Sequence, residues 1–166
     1  RLTDTATALA LAGPASREGR VAADHMAGNK KAKFPGVIGT SVVKVFDLTV
    51  ASVGMNAKAL QQAEIPFQNV IIHASNHAGY YPGASPMAFK LLYNEKGKIL
   101  GAQAVGIEGV DKRIDVVATA MQAGMTVFDL EDLELAYAPP FSSSRDPVNI
   151  IGFTAANILR GDSRVM

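Results

Sequence analysis

The sequence predicts an α+β domain whose sheet is mostly antiparallel and whose helices pack on one face. Strand-like runs rich in β-branched residues follow one another between residues 39 and 106 and end in a hairpin pattern. From Val110 onward the apolar residues change to helical spacing. Strands grouped in the chain before a group of helices are typical of this fold class.

The first part of the chain is predicted to form one helix, a linker, one or two strands and a short helix, in that order. Apolar residues recur at helical spacing from Pro14, and Gly28 supplies a helix stop. The basic, Pro- and Gly-marked residues 29–36 predict a linker. Residues 39–54 predict one long strand or two short ones. Asn56 is suited to cap a short helix that follows it.

Two further segments complete the predicted sheet. The apolar residues 69–75 predict a buried strand. Residues 87–106 predict a hairpin, with the polar turn "NEKGK" between its strands. Gly97 supplies the positive φ that such a turn requires.

The first predicted helix after the sheet begins near residue 110. Ile114, Val117 and Met121 share its apolar face. Lys112 and Arg113 lie on other faces, where they are either solvated side chains or contacts for an anion. Because cations are unfavourable in the first turn of a helix, the pair weakly favours an external partner.

Capping signals define the last two predicted helices. Thr126 and Asp129 have capping-box spacing at the start of a short helix. A short strand and an irregular loop are predicted next. Asp146 then supplies an N-cap and Pro147 a first-turn proline for the final helix, which ends near Gly161.

The composition excludes several classes of protein. With 48% hydrophobic and 19% charged residues, the chain is globular rather than disordered. A net charge of +1 gives no sign of a nucleic-acid partner. The absence of cysteine excludes disulfides and thiol chemistry by this chain alone. No apolar run reaches the roughly 18–20 residues of a membrane span, so no membrane association is expected.

The N-terminal sequence carries no recognisable export signal. Its alanine-rich apolar patch lacks a convincing cleavage site, so a cytoplasmic location is expected. The chain does not begin with Met, which favours a piece of a longer protein.

Few residues have the pattern of a self-contained active site. His73 and His77 are not on one helical face and no carboxylates accompany them, so no metal site is expected. Gly101 and Gly106 do not form a dinucleotide-binding fingerprint. Ser142 to Ser144 have no recognisable base near them and are interpreted as loop residues rather than nucleophiles.

The tyrosines are the more informative residues. Tyr80, Tyr81 and Tyr137 all adjoin proline-containing turns, in "YYPG" and "YAPPF". Aromatic residues at rigid turns are typical of interface anchors, and a tyrosine hydroxyl seeks a hydrogen-bond partner. Packing inside the domain is the equally weighted alternative.

Five stretches in collinear order, covering about residues 9–160, resemble one family. They are "LAGPASREGRVAAD", "GTSVVKVFDLTVASVGMNAKAL", "HAGYYPGASPM", "KILGAQAVGIEGVDKRIDVVATAM" and "LELAYAPPFSSSRDPVNIIGFTAAN". They resemble the C-terminal third of the FAD-dependent pyridine nucleotide-disulfide oxidoreductases, in the group of coenzyme A-disulfide reductases, NADH oxidases and NADH peroxidases.

The resemblance implies that this chain and upstream domains have different functions in one protein. Residues 1–30 would be the C-terminal remnant of the FAD-binding domain, and residues 31–166 the dimerisation domain of a homodimer. FAD and NAD(P)H would be bound mainly by upstream domains, which also carry the redox-active cysteine. The fragment alone would therefore be inactive, as part of an enzyme that reduces coenzyme A disulfide or a related persulfide or polysulfide.

The resemblance also implies site residues. Tyr80 and Tyr137 would reach the active site of the partner subunit, with Tyr81 as the alternative in the adjacent pair. A phenol hydroxyl can donate to a developing thiolate without titrating near neutral pH. The FAD environment would include Leu11, Ala12, Gly13, Ala138, Pro139 and Phe141. Ser16 and Arg20 would contact coenzyme A, Arg20 as an anion contact.

Two alternatives remain open at this point. The same domain could belong to an NADH oxidase or peroxidase that reduces O2 or H2O2. The chain could also be a free-standing homodimeric binding module. The retained Tyr80 and Tyr137 favour the disulfide reductase.

Overall fold

The computed structural model describes residue 3 and residues 7–163 of the chain. The chain divides into two compact units, residues 1–39 and residues 40–166. Each unit is described by itself below. The predicted domain boundary at residue 30 stays a prediction.

Among the described residues of the first unit, one helix forms: α1, which runs over Ala12–Met26. It begins two residues before the predicted start at Pro14. Its N-cap residue is Leu11, whose side chain cannot accept a hydrogen bond from the first turn. After the helix, Gly28 takes a φ of 92°, which suits a glycine at a helix end. The predicted helix and its stop are confirmed.

The second unit is built on a five-stranded sheet in which every described strand pair is antiparallel. The strands, in chain order, are β1 Ser41–Val45, β2 Leu48–Gly54, β3 Gln68–Ser75, β4 Pro86–Tyr93 and β5 Ile99–Gly106. Their order across the sheet is β1-β2-β5-β4-β3. The predicted strand region 39–54 is thus two strands, and the predicted hairpin is β4 and β5. Gly97 in its turn has a φ of 79°.

The strand β3 corrects one prediction. Its apolar composition indicated a buried strand, but β3 is an edge strand that pairs only with β4 within the described sheet. Val70 is its one buried residue, and Ile71 is exposed. The apolar run was misleading because periodicity cannot distinguish a central strand from an edge strand.

The described helices of this unit are α2 Ala57–Gln62, α3 Val110–Ala123, α4 Val127–Asp132 and α5 Pro147–Arg160. The two longest of them pack against the sheet, as the sequence predicts, and α4 packs on α5. Helix α3 packs on β2 and β5, whereas α5 packs on β3 and β4. The core between these layers includes Val53, Met87, Phe89, Leu91, Ala104, Ile114, Val117 and Ile151. A smaller cluster joins Leu60 of α2 to Leu92 and Leu100.

The predicted caps are confirmed. The Asn56 side chain accepts from the backbone N–H of Ala59, which starts α2. Thr126 and Asp129 form the capping box of α4. Asp146 caps α5, and the helix ends at Gly161 in the left-handed conformation.

The predicted short strand after Leu133 is wrong. Residues 133–138, all of which are described, form neither strand nor helix. The Asn149 side chain donates to the carbonyls of Leu130 and Leu133 at 3.1 and 2.9 Å. Because backbone acceptors at the end of α4 bond to this side chain from α5, they have no need of a strand partner.

Candidate functional site

Two tyrosines that are distant in sequence meet on the surface of the second unit. Tyr80 lies in the loop between β3 and β4, and Tyr137 in the loop between α4 and α5. Their hydroxyl oxygens are 3.2 Å apart. The side chains are 77% and 47% exposed, so the pair is presented outward and does not pack in the core. Of the alternatives for these two tyrosines, interior packing is therefore excluded.

The hydrogen bond between these hydroxyls affects their acidity. It raises the pKa of Tyr137 above the usual phenol value, because it stabilises the neutral hydroxyl over the phenolate. Each phenol has a single O–H, and the bond between the two oxygens uses only one of them. The pair therefore has a second hydroxyl proton to donate to an external acceptor.

Tyr81 has different surroundings. Its backbone N–H donates to the carbonyl of Ala78, and its ring stands edge-on to His77 with centroids 5.8 Å apart. His77 is itself buried. The structure thus brings Tyr80, but not the neighbouring Tyr81, to Tyr137.

The predicted flavin-contacting residues of this unit follow Tyr137 directly. Ala138 and Pro139 open a turn that closes through a hydrogen bond from the N–H of Phe141 to the carbonyl of Ala138. The Phe141 side chain is 69% exposed, so an apolar ring four residues after Tyr137 is presented on the outside of the domain.

A buried ion pair that was not predicted lies beneath these loops. Arg113 is only 3% exposed, and its Nη2 lies 2.8 Å from Oδ2 of Asp146. The expectation that Arg113 is a solvated side chain or an anion contact is therefore wrong. Ser142, interpreted as a loop residue without a special role, is also buried and donates to Asp146. The sequence identified Asp146 as an N-cap, but no spacing rule connects it to an arginine on an earlier helix.

The remaining predicted site residues belong to the first unit. Leu11, Ala12 and Gly13 form the start of α1, whose first turn has no side-chain cap. Ser16 and Arg20 are both exposed. Four residues apart on a helix, they share one face.

Residue 3 and residues 7–163 provide neither a metal cluster nor a membrane-spanning helix. No group of three or more His, Cys, Asp or Glu side chains there is arranged to hold a metal ion. No helix in that part of the chain has the length and apolar character required to cross a bilayer.

Comparison of the sequence with known proteins gives a consistent result. Residues 40–147 match the family "Pyridine nucleotide-disulphide oxidoreductase, dimerisation domain". The chain is 42% identical over 156 residues to a coenzyme A disulfide reductase of Staphylococcus aureus. That match covers 93% of this chain and 35% of the relative, so the chain spans about a third of the length of the curated relatives it matches.

Solved structures agree with the sequence comparison. Reduced CoADR-RHD from Bacillus anthracis superposes with a TM-score of 0.95 at 52% identity, covering 99% of this chain and 30% of that one. An NAD-dependent persulfide reductase from A. fulgidus gives a TM-score of 0.94 at 40% identity, again over 99% of this chain and 30% of the other. The family match covers more than half of the chain and includes both loops of the tyrosine pair. The chain therefore belongs to the dimerisation-domain family of the pyridine nucleotide-disulphide oxidoreductases.

Proposed function

We propose that this chain is the dimerisation domain of a homodimeric, FAD- and NAD(P)H-dependent reductase of coenzyme A disulfide or a related persulfide or polysulfide. The whole protein would act in the cytoplasm. In this proposal Tyr80 and Tyr137 serve the active site of the partner subunit. The names of the coenzyme A disulfide reductase and persulfide reductase relatives support the substrate class.

The observation that carries the proposal is the exposed tyrosine pair. Two neutral phenols held 3.2 Å apart on the outside of a domain do little for its own core. They do form a compact hydrogen-bond donor, and an exposed apolar ring, Phe141, follows four residues after Tyr137. Such a group becomes effective when a second protein surface covers it and removes water.

The chemistry expected of the pair follows from its protons. Reduction of a disulfide releases a thiolate, whose developing negative charge a nearby O–H can stabilise. A phenol is protonated at neutral pH, and the hydrogen bond with Tyr80 raises the pKa of Tyr137 further above its usual value. One hydroxyl orients the other, and the remaining O–H donates to the sulfur of the substrate or of the partner subunit's cysteine.

The flavin would be held mainly by domains outside this chain, and it supplies electron transfer from NAD(P)H when bound. The residues at the start of α1 fit an electronegative group there, because the first turn has no side-chain acceptor of its own. Ala12 and Gly13 would offer backbone N–H groups to the flavin. The exposed Ser16 and Arg20 on the same helix would contact coenzyme A, Arg20 through a charge-assisted hydrogen bond.

A covering partner is also supported by the hairpin of β1 and β2. It exposes five large apolar side chains: Val42, Val43, Val45, Phe46 and Leu48. Clusters of this kind are typical of surfaces that another protein surface covers.

The test is Tyr137→Phe in the full-length protein that carries this chain. We expect disulfide turnover to fall by about tenfold or more, because one of the two hydroxyl donors is lost. The flavin content and its reduction by NAD(P)H should not change. Steady-state turnover with coenzyme A disulfide, together with stopped-flow flavin reduction, measures both.

Tyr93→Phe is the matched control, since it removes a hydroxyl that is buried in the core rather than exposed in the pair. It should leave turnover unchanged. If Tyr137→Phe turned over the disulfide as wild type does, Tyr137 would have no role at the site. Efficient NAD(P)H-driven reduction of O2 or H2O2, with no disulfide activity in wild type, would favour the oxidase or peroxidase alternative.

A further inference from the structure

The buried polar groups of this chain are concentrated in one place. In the part of the chain that the structure describes, the buried polar and charged residues are Asn76, His77, Arg113, Ser142 and Asp146. Burial of such groups costs free energy unless each is hydrogen-bonded. Their concentration beneath the tyrosine loops therefore calls for an explanation beyond general stability.

The guanidinium of Arg113 is the centre of this cluster. Its Nη2 donates to the carbonyl of Asn76 at 2.7 Å and to Oδ2 of Asp146 at 2.8 Å. Longer bonds reach Oγ of Ser142 at 3.3 Å and the carbonyl of Phe141 at 3.4 Å. One buried cation thus contacts the start of the Tyr80 loop, the end of the Tyr137 loop and the N-cap of α5.

Further bonds make each loop a defined unit. The Asn76 side chain accepts from the N–H of Ser85 at 2.8 Å, which closes the loop that carries Tyr80. The N–H of Ala78 donates to the carbonyl of Ser142 at 3.0 Å, which links the two loops directly. The position of one loop relative to the other is therefore determined by contacts at or beside Arg113.

From this geometry we propose that Arg113 is a positioning residue, which holds the two loops in the register that brings the Tyr80 and Tyr137 hydroxyls together for the partner's active site. The inference rests on the proposed function of the tyrosines. The two side chains are exposed and one hydrogen bond does not fix their positions, so the 3.2 Å distance between their hydroxyl oxygens depends on the loops that carry them.

The proposal explains why an arginine occupies this position. All three guanidinium nitrogens are used: Nη2 faces the acceptors named above, Nε donates to Oδ1 of Asp146 at 3.4 Å, and Nη1 donates to the carbonyl of Gly109 at 3.2 Å. A lysine would keep the charge opposite Asp146, but its single ammonium group cannot reproduce the fork. Lysine should therefore preserve the ion pair and loosen the link between the loops.

The first arm of the test uses Arg113→Lys in this chain. The chain has four tyrosines and no tryptophan, so Tyr81→Phe with Tyr93→Phe leaves only Tyr80 and Tyr137 to titrate. In that background we expect Arg113→Lys to lower the pKa of Tyr137 toward the pKa that Tyr137 has in the Tyr80→Phe variant. Tyrosinate absorbance during a pH titration measures this change. Arg160→Lys, which makes the same change at an exposed ion pair with Glu131, should leave the titration unchanged.

The second arm measures disulfide turnover in the full-length protein. We expect Arg113→Lys to lower turnover by roughly ten- to a hundredfold, since small misplacements of catalytic groups have effects of this size. In the background Tyr80→Phe with Tyr137→Phe, the same change should add little. Such non-additivity is what a residue acting through the tyrosines produces, and a merely structural role would lower both backgrounds equally.

The outcomes separate the inference from the proposed function. An unchanged Tyr137 titration in Arg113→Lys, or equal losses of turnover in both backgrounds, would overturn the positioning role. Wild-type turnover in Tyr80→Phe with Tyr137→Phe would instead overturn the function proposed for the tyrosines. If Arg113→Lys does not fold, Arg113→Met with Asp146→Asn removes both charges while keeping the N-cap acceptor, and the same outcomes apply.

Discussion

The four tyrosines show how strongly the environment decides what one residue type does. Tyr93 is fully buried in the core, where burial raises the pKa of its hydroxyl and that hydroxyl has no hydrogen-bond partner among the described residues. Tyr80 and Tyr137 are exposed and bonded to each other. The core tyrosine contributes its ring to the packing, whereas the exposed pair presents its hydroxyls at the surface.

At the same scale, the buried Arg113–Asp146 ion pair allows a prediction of how one substitution changes the stability of the fold. Asp146→Ala leaves Arg113 buried without its counter-ion and removes the N-cap of α5. We expect a loss of about 3–5 kcal/mol in the free energy of unfolding, the usual cost of breaking a buried ion pair. Urea denaturation measures it.

Asp115→Ala, at an exposed position of α3, is the control for this prediction and should change stability by less than about 0.5 kcal/mol. A loss of less than about 1 kcal/mol for Asp146→Ala would mean that water reaches Arg113 in the folded chain.

At the scale of elements, capping residues determine where the helices start, and loops determine where the site lies. Helix α4 is only six residues long and depends on its capping box. Helix α5 begins at the residue pair Asp146-Pro147, so its N-cap also serves the buried network. One side chain thereby connects the start of a helix to the position of the tyrosine loops.

The capping box of α4 makes a pH-dependent prediction. The carboxylate of Asp129 accepts from the N–H and the hydroxyl of Thr126 at 2.6 and 2.7 Å, which lowers its pKa. A carboxyl whose pKa is lower in the folded than in the unfolded chain stabilises the fold at neutral pH. That contribution is lost as the pH falls through the folded value.

We therefore expect Asp129→Asn to lower the urea midpoint at neutral pH, and the difference from wild type to shrink once the pH is below the pKa of Asp129. Asp132→Asn, at the other end of α4, is the control for the loss of one charge. A difference that stays constant from neutral to acidic pH would show that the charge of Asp129 does not stabilise the cap.

At the scale of the whole molecule, the chain consists of two compact units with different contents. Residues 40–166 contain the whole sheet, its covering helices, the core and the tyrosine pair. The first unit contains α1 with Ser16 and Arg20, proposed for coenzyme A, and with Leu11, Ala12 and Gly13 from the predicted flavin environment. The domain that carries the tyrosines thus has a core of its own, whereas α1, the helix described in the first unit, has no buried residues.

This division predicts that residues 40–163 fold when produced alone. We expect one cooperative unfolding transition with a free energy of about 5–15 kcal/mol, as for other single domains. All four tyrosines lie in this unit and the chain has no tryptophan, so intrinsic fluorescence reports on it specifically. Urea transitions followed by fluorescence and by far-ultraviolet circular dichroism should coincide.

Unfolding of the full chain, monitored by the same fluorescence signal, serves as the comparison for that experiment. Transitions that do not coincide in the shorter piece, or a broad transition without a baseline, would show that residues 1–39 are required for the fold of the sheet unit.

The sequence by itself determined the local features of this protein. Hydrophobic period, turn residues and caps act between near neighbours, and they correctly predicted α1, the β4–β5 hairpin and the starts of α2, α4 and α5. The resemblance to a family rested on stretches long enough to be specific, and the family was confirmed. The proline-marked turns point to Tyr80, Tyr81 and Tyr137 alike, and the family resemblance favours Tyr80 and Tyr137 among them.

Only the tertiary structure decided the order of the strands, the burial of Arg113 and the pairing of Tyr80 with Tyr137. The strand β3 was predicted to be buried because its composition does not reveal whether it has one neighbour or two. Arg113 meets Asp146 across 33 positions of sequence, and Tyr80 meets Tyr137 across 57. Contacts of this range depend on how whole elements pack, and no local pattern of residue types encodes that packing.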